Sequence, residues 1–465
     1  MHYVSTRGGA GAAFADVLLG GPASDGGLYL PEHWPQFGQS AIREFAKLPY
    51  SEVALRVMGP FIGEAFTGEE FRADVEAAYA GFAHRCVVPL VQLGPDFFLL
   101  ELFHGPTLAF KDLAMQLLGR LFARALAKKS RRATVIVATS GDTGSAAIAA
   151  LRGQDNVEVV VLHPHGRVSE VQRRQMTSVL DANVHNIALE GSFDDTQNIV
   201  KALFADADFA ARTNLTAVNS INFARIVAQC VYYFTAAASL GAGHGRAVTF
   251  VVPTGNFGDI FAGEAAARMG LSIDRLVIAT NANDILARTL ATGNYETGRA
   301  QPTLSPSMDI QVASNFERAL FEASGRDATW VRDSMQGFAQ TRSLVIPPAM
   351  LRALRERYLA ARADDDETIA TIARVYKESG LVIDPHTAVG VAAAEKLRAE
   401  LNGPVVALAT AHPAKFSAAV RQAIGRSVEL PPHLGDLLSR KERYTVLGNS
   451  IPAVRDFVLE RTQKR

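Results

Sequence analysis

A lysine that sits where an apolar strand pattern gives way to a helix is the first residue of this chain that invites a chemical reading. Lys111 ends the run His104, Gly105, Pro106, Thr107, Leu108, Ala109, Phe110, and Asp112 opens an apolar helical pattern over 113–126. Most lysines are solvated surface groups. One held at such a helix start, beyond the end of a strand, points its amine toward a cleft. Partly desolvated there, it loses basicity and can attack an aldehyde to form a Schiff base.

Two further loops belong to the same pattern. Thr139, Ser140, Gly141, Asp142, Thr143 and Gly144 run into a helix of small residues. Its unpaired N–H groups suit a carboxylate or phosphate, although capping by Ser140 or Thr143 would account for the same residue types. Pro253, Thr254, Gly255, Asn256, Phe257, Gly258 and Asp259 also enter a helix, and two glycines let that backbone approach an anion closely. There is no G-x-x-x-x-G-K-[ST] run, and the glycines of 241–245 precede a strand instead of following one. The triphosphatase and dinucleotide readings therefore fail. One reactive lysine and two anion-binding helix starts describe a site for an aldehyde cofactor that carries a phosphate, with an amino-acid substrate beside it. Pyridoxal 5'-phosphate meets that description.

The elements that must hold these loops are α/β in pattern. Apolar runs at 97–103, 134–138, 157–162, 184–189, 248–252, 276–279 and 405–409 alternate with helical periodicity at 145–151, 168–180 and 223–240. That alternation predicts doubly wound, mostly parallel sheets with ligands beyond the strand ends. A chain of 465 residues exceeds one core. The predicted division is an N-terminal subdomain over 1–90, a first α/β domain over 91–245 and a second over 246–430 with a helical insertion. A C-terminal surface segment over 431–465 completes it. The seam is expected at the glycines of 241–245.

Composition narrows the partners. Lys plus Arg equals Asp plus Glu at 47 each, with 48% apolar and 20% charged residues, which gives no global attraction to nucleic acid or an anionic membrane. Two cysteines, Cys86 and Cys230, lack metal spacing and predict no metal, no disulfide framework and a reducing cytoplasm. The start has no signal-type apolar run, and no stretch of about 18 apolar residues predicts a membrane span.

The motifs together resemble those of threonine synthases, in the branch with a long N-terminal extension. The resemblance is carried by Ser5, Thr6, Arg7 and Gly8, by the segments 23–31, 104–112, 139–147 and 253–259, by Asn219, Ser220, Ile221 and Asn222, and by Thr410 to Phe416. It implies the type II pyridoxal-phosphate fold shared with tryptophan synthase β-chains and threonine dehydratases. It further implies that Lys111 is the Schiff-base lysine and that Gly255, Asn256, Phe257 and Gly258 hold the cofactor phosphate. Thr410 would face the pyridine nitrogen, with Asp142 near the phenolic oxygen. Ser140, Gly141, Thr143 and Gly144 would hold the substrate carboxylate. Arg225 and Lys415 are the candidates for the phosphate of the implied substrate, O-phospho-L-homoserine, while His104 and His412 are scaffold. A phospho-lyase of the same fold that releases 2-oxobutyrate, and a non-catalytic binder of phosphorylated metabolites, are the competing readings.

Overall fold

Strands form where apolar runs are long enough to be covered on both faces. The computed structural model describes residues 1–216 and 219–462, so residues 463–465 of the expected C-terminal segment lie outside the described residues. A six-stranded sheet runs in the order Tyr358–Arg362, Ile273–Thr280, Val248–Pro253, Val405–Ala409, Phe97–Glu101, Leu90–Gly94. All of its pairs are parallel except that of Leu90–Gly94 with Phe97–Glu101. A second, five-stranded sheet is parallel throughout, in the order Thr445–Gly448, Val184–Glu190, Val157–Pro164, Ala133–Ala138, Leu215–Thr216. Its central strand, Val157–Pro164, is buried at every residue, as a strand covered by helices on both faces must be.

The helix Phe223–Ser239 is the spine of the molecule. Every residue from Phe223 to Phe234 is buried, which marks a helix packed all round. The main core joins it to the N-terminal helices Tyr50–Ile62 and Gly68–Tyr79 and to one face of the six-stranded sheet. At the N-terminus a small antiparallel sheet pairs His2–Ser5 with Ala12–Ala13 and Tyr29–Pro31. Among the described residues, no helix is long and apolar enough to cross a membrane.

The seven expected strands are present with small shifts at their ends, but sheet membership does not follow the expected seam. Phe97–Glu101, assigned to the first α/β unit, pairs with Val405–Ala409 in the sheet of the second. The expected surface segment beyond 430 also contributes structure: Thr445–Gly448 extends the five-stranded sheet, and Ile451–Thr462 buries Val454 and Val458 against it. Several strands escaped notice, Leu90–Gly94, Tyr358–Arg362 and Thr445–Gly448 among them. Tyr358–Arg362 lies at the sheet edge directly after the helix Pro348–Arg357, with alanines where branched residues signal a strand. The helix expected over 168–180 is confined to Glu170–Thr177.

Candidate active site

Four loops at the carboxyl ends of parallel strands converge on one cleft of about 1770 Å³. Three leave the six-stranded sheet, after Phe97–Glu101, Val248–Pro253 and Val405–Ala409. The fourth leaves the five-stranded sheet after Ala133–Ala138. The cleft lies where the rule for open α/β sheets puts ligands.

Lys111 is the first residue of the helix Lys111–Lys128 and is 8% exposed. Its loop is zipped to the loop after Val405–Ala409. Phe110 N–H donates to the Thr410 carbonyl at 2.8 Å, His412 N–H to the Leu108 carbonyl at 3.1 Å, and Ala109 and Ala411 form a β-bridge. Asp112 is fully buried and closes the turn by accepting from the Thr107 N–H and hydroxyl, each at 2.7 Å. Lys111 Nζ donates to Asp142 Oδ2 at 3.3 Å. Burial lowers the lysine pKa against the pull of Asp142, and the nearby Arg225 and Lys415 cations lower it further.

Asp142 opens the helix Asp142–Leu151. Its Oδ1 accepts from Lys415 Nζ and Gln172 Nε2, both at 2.8 Å, and Ser307 Oγ donates to Oδ2 at 3.3 Å. Burial opposes its ionisation, but Lys415 and Lys111 together hold it well below the usual carboxylate range. Lys415 is buried, and its ammonium bonds Asp142 and, at 2.7 Å, the Thr107 carbonyl. Arg225 lines the cleft. It is 3% exposed, and one of its terminal nitrogens has no hydrogen-bond partner among the described residues. Burial pulls its pKa down to about 10.

In the loop after Ala133–Ala138, Ser140 and Thr143 line the cleft. Neither supplies the cap considered from the sequence: Thr139 does, its hydroxyl accepting from the Gly141 and Gly144 N–H groups at 2.9 and 3.0 Å. Those two glycines therefore shape the turn and spend their N–H groups inside it. Gly141 has a φ of 140°, and a Cβ there would lie 2.5 Å from Gln172 Cδ. Near the third loop, Gly255 is equally constrained, because an added Cβ would meet the Ser307 carbonyl oxygen at 2.7 Å. Phe257 holds the left-handed conformation at φ 65°, rare for a bulky residue. Its ring, packed 5.2 Å from Phe316 and 5.3 Å from Tyr358, holds it there.

Several residues of the site went unnoticed in the sequence. Asn315 donates from its side chain to the Asn256 carbonyl at 2.9 Å, and the fully buried Arg318 bonds Asn315, the Ile221 carbonyl and the Tyr29 carbonyl. The loop at 254–258, the 219–222 segment and the N-terminal sheet thus share one guanidinium. Asp259, in the first turn of the helix Gly258–Arg268, accepts from Tyr232 and Tyr233, and burial raises it to about 6 against those bonds. His104, bound to Glu101 at 2.7 Å, and His412, accepting the Ala414 N–H at 3.2 Å, are tied into the scaffold.

Three family models account for nearly all of the chain. One described as pyridoxal-phosphate dependent enzyme matches residues 87–354, one described as threonine synthase N terminus matches 2–79, and one described as threonine synthase, C-terminal, matches 387–458. The chain belongs to the threonine synthase family. It is 53% identical to threonine synthase of Pseudomonas aeruginosa over 460 residues, covering 98% of both chains. The crystal structure of PLP-bound threonine synthase from Brucella melitensis superposes with a TM-score of 0.97 at 53% identity, over 100% of each chain. Yeast threonine synthase gives 0.94 at 38% identity, over 100% of this chain and 99% of that one. The fold is the type II pyridoxal-phosphate fold, and the cofactor of the family is pyridoxal phosphate.

The residues present fit that cofactor. A buried lysine of lowered pKa faces the cleft. The turn at 254–258 feeds the helix Gly258–Arg268, whose first N–H groups have no carbonyl one turn earlier to satisfy them. Gly255 keeps that turn free of a side chain that the Ser307 carbonyl would exclude.

Proposed function

We propose that this chain converts O-phospho-L-homoserine and water into L-threonine and inorganic phosphate, with Lys111 as its acid–base. The observation that carries the reading is the pairing of two buried cations on one cleft: Lys111, of lowered pKa beside ionised Asp142, and Arg225, with an unpartnered guanidinium nitrogen. The first suits proton transfer at carbon and the second suits a phosphate.

Bound pyridoxal phosphate supplies an electron sink that stabilises negative charge on carbon next to the substrate nitrogen. Gly255, Asn256, Phe257 and Gly258 would hold its phosphate, Thr410 would serve its ring nitrogen and Asp142 its phenolic oxygen. A neutral threonine hydroxyl as partner would leave that nitrogen mostly unprotonated. Ser140 and Thr143 hold the substrate carboxylate at the helix start, on a turn shaped by Gly141 and Gly144. Arg225 holds the substrate phosphate, and Lys415 keeps Asp142 ionised. With both ends of the substrate fixed, Lys111 reaches the α-carbon and then the β-carbon. It removes a proton from each, phosphate departs from the γ-carbon with the electron pair of the broken C–O bond, and Lys111 returns one proton to the γ-carbon. Water then adds its hydroxyl at the β-carbon and yields its proton to the departed phosphate, and Lys111 returns the second proton to the α-carbon; closure of the cleft keeps bulk water out until the hydration step.

The test is a mass balance on cofactor-loaded protein given O-phospho-L-homoserine. Threonine equal to phosphate is the expected outcome. Phosphate matched by 2-oxobutyrate would replace the reading with a phospho-lyase, and no release at all would replace it with a binding role.

A further inference from the structure

The two oxygens of Asp142 are held differently. Among the described residues Oδ2 has only the 3.3 Å contacts of Lys111 and Ser307, whereas Oδ1 is pinned by Lys415 and Gln172 at 2.8 Å each. Gln172 is 5% exposed and belongs to the helix Glu170–Thr177. Its amide can point only one way. Ser169 Oγ donates to its Oε1 at 2.9 Å while accepting its backbone N–H at 3.3 Å, which leaves Nε2 as the donor to the carboxylate. The turn at Gly141 lies against the same amide, with room for no Cβ.

Three residues along, Gln175 Nε2 donates at 3.1 Å to the Thr107 carbonyl, the acceptor that also takes Lys415. One short helix therefore supports both Asp142 and the lysine loop. It is clamped in turn from the C-terminal segment, where Glu442 bonds Arg173 at 2.6 Å and Thr177 Oγ1 at 3.0 Å, and Arg443 N–H donates to the Thr177 carbonyl at 2.7 Å.

We propose that Gln172 is a positioning residue for the reaction: its oriented amide fixes the Asp142 carboxylate so that Oδ2 faces the Lys111 nitrogen. The inference rests on the assignment of Lys111 as the working lysine. A neutral donor suits this task, because it sets the direction of the carboxylate while Lys111 and Lys415 set its charge.

The test is a pH titration of the visible absorbance of the holoenzyme, without substrate, in Gln172→Leu and Gln172→Glu. An anion aimed at the Lys111 nitrogen favours the protonated form there. Gln172→Leu loosens that anion and moves the midpoint down by about one pH unit, whereas Gln172→Glu adds a negative charge and moves it up by about one unit. Turnover falls roughly tenfold in both, with KM within about threefold of the parent. A purely structural role would lower thermal stability and leave the midpoint alone. A midpoint unchanged from the parent in whichever variant folds overturns the proposal, as does a shift of the same sign in both. Because the titration contains no substrate, an unexpected product in the mass balance overturns the activity and leaves this inference standing.

Discussion

Replacing Arg225 with methionine should push activity and stability in opposite directions. The guanidinium is buried, one of its nitrogens has no partner among the described residues, and burial, against the opposing pull of Tyr232 and Asp259, carries its pKa from 12.5 to about 10. That displacement opposes the charged form by roughly 3 kcal/mol. A substrate phosphate would offset this cost with charge-assisted hydrogen bonds of about 1.5–3 kcal/mol. Arg225→Met should therefore lower kcat/KM for O-phospho-L-homoserine by about 10- to 150-fold. The same variant, unfolded in denaturant without substrate, should be more stable than the parent by about 1–3 kcal/mol, since an apolar side chain of similar length replaces an uncompensated charge. Arg225→Lys should recover part of the activity and none of the stability, because the charge remains while the forked geometry is lost. Phosphate release and equilibrium unfolding, measured on the same preparations, test both halves. A kcat/KM within about threefold of the parent, or a destabilised Arg225→Met, refutes the reasoning.

Lys111→Ala should still bind pyridoxal phosphate through the turn at 254–258, but without turnover; borohydride should fix cofactor to the parent by mass and not to the variant. Gly255→Ala forces a methyl group against the Ser307 carbonyl at 2.7 Å. An overpacking cost of about 1–3 kcal/mol at the turn should weaken the cofactor Kd about 5- to 150-fold in a fluorescence titration. Asp112→Asn should change the pH dependence of stability. Burial raises this carboxyl from 3.8 to about 6 despite the bonds from Thr107, so between those values the native protein binds more protons than the unfolded chain. Its stabilisation is full below 3.8 and is lost as pH rises through about 6, a change of about 3 kcal/mol. The variant lacks that loss, so its stability relative to the parent should grow by about this amount from roughly pH 4 to pH 7 in denaturant titrations. A pH-independent difference would count against it.

What the sequence revealed follows from what is local. The strand Val157–Pro164 announces itself because a strand buried on both faces must be apolar throughout. The loops announce themselves because glycines and hydroxyl residues interrupt such runs just before a helix. Sheet membership is different. Phe97 pairs with Val405 and Glu101 with Ala409, a register between segments some three hundred residues apart that neither segment encodes alone. The polar side chains that hold the site have the same character. Ser307 is 165 residues from Asp142 and sits in the short 3-10 turn Pro306–Met308, which carries no motif. Arg318 and Gln172 look in sequence like ordinary members of exposed helix faces until the fold buries them.

Lys415 and Arg225 show why residue type alone could not separate their roles. Both are basic, one lies inside and the other beside a segment that carries the family resemblance, and both are buried within reach of Lys111, since each lowers its pKa. The difference is in their partners. Lys415 meets an ionised carboxylate and a carbonyl, so its charge is satisfied by the chain itself. The carboxylate nearest Arg225 in its electrostatic surroundings, Asp259, already accepts from two tyrosines and is raised to about 6 by burial, which makes it a weaker counter-ion. Lys111 and Lys415 share Asp142, which is held firmly ionised, while burial raises Asp112 and Asp259, the other carboxylates that act on these cations, to about 6. Three buried cations in and beside one cleft favour anionic ligands there. A phosphate-bearing cofactor and a phosphorylated substrate would together provide them, and under the proposed reading phosphate leaving during turnover would depart from Arg225, one of whose nitrogens has no partner among the described residues.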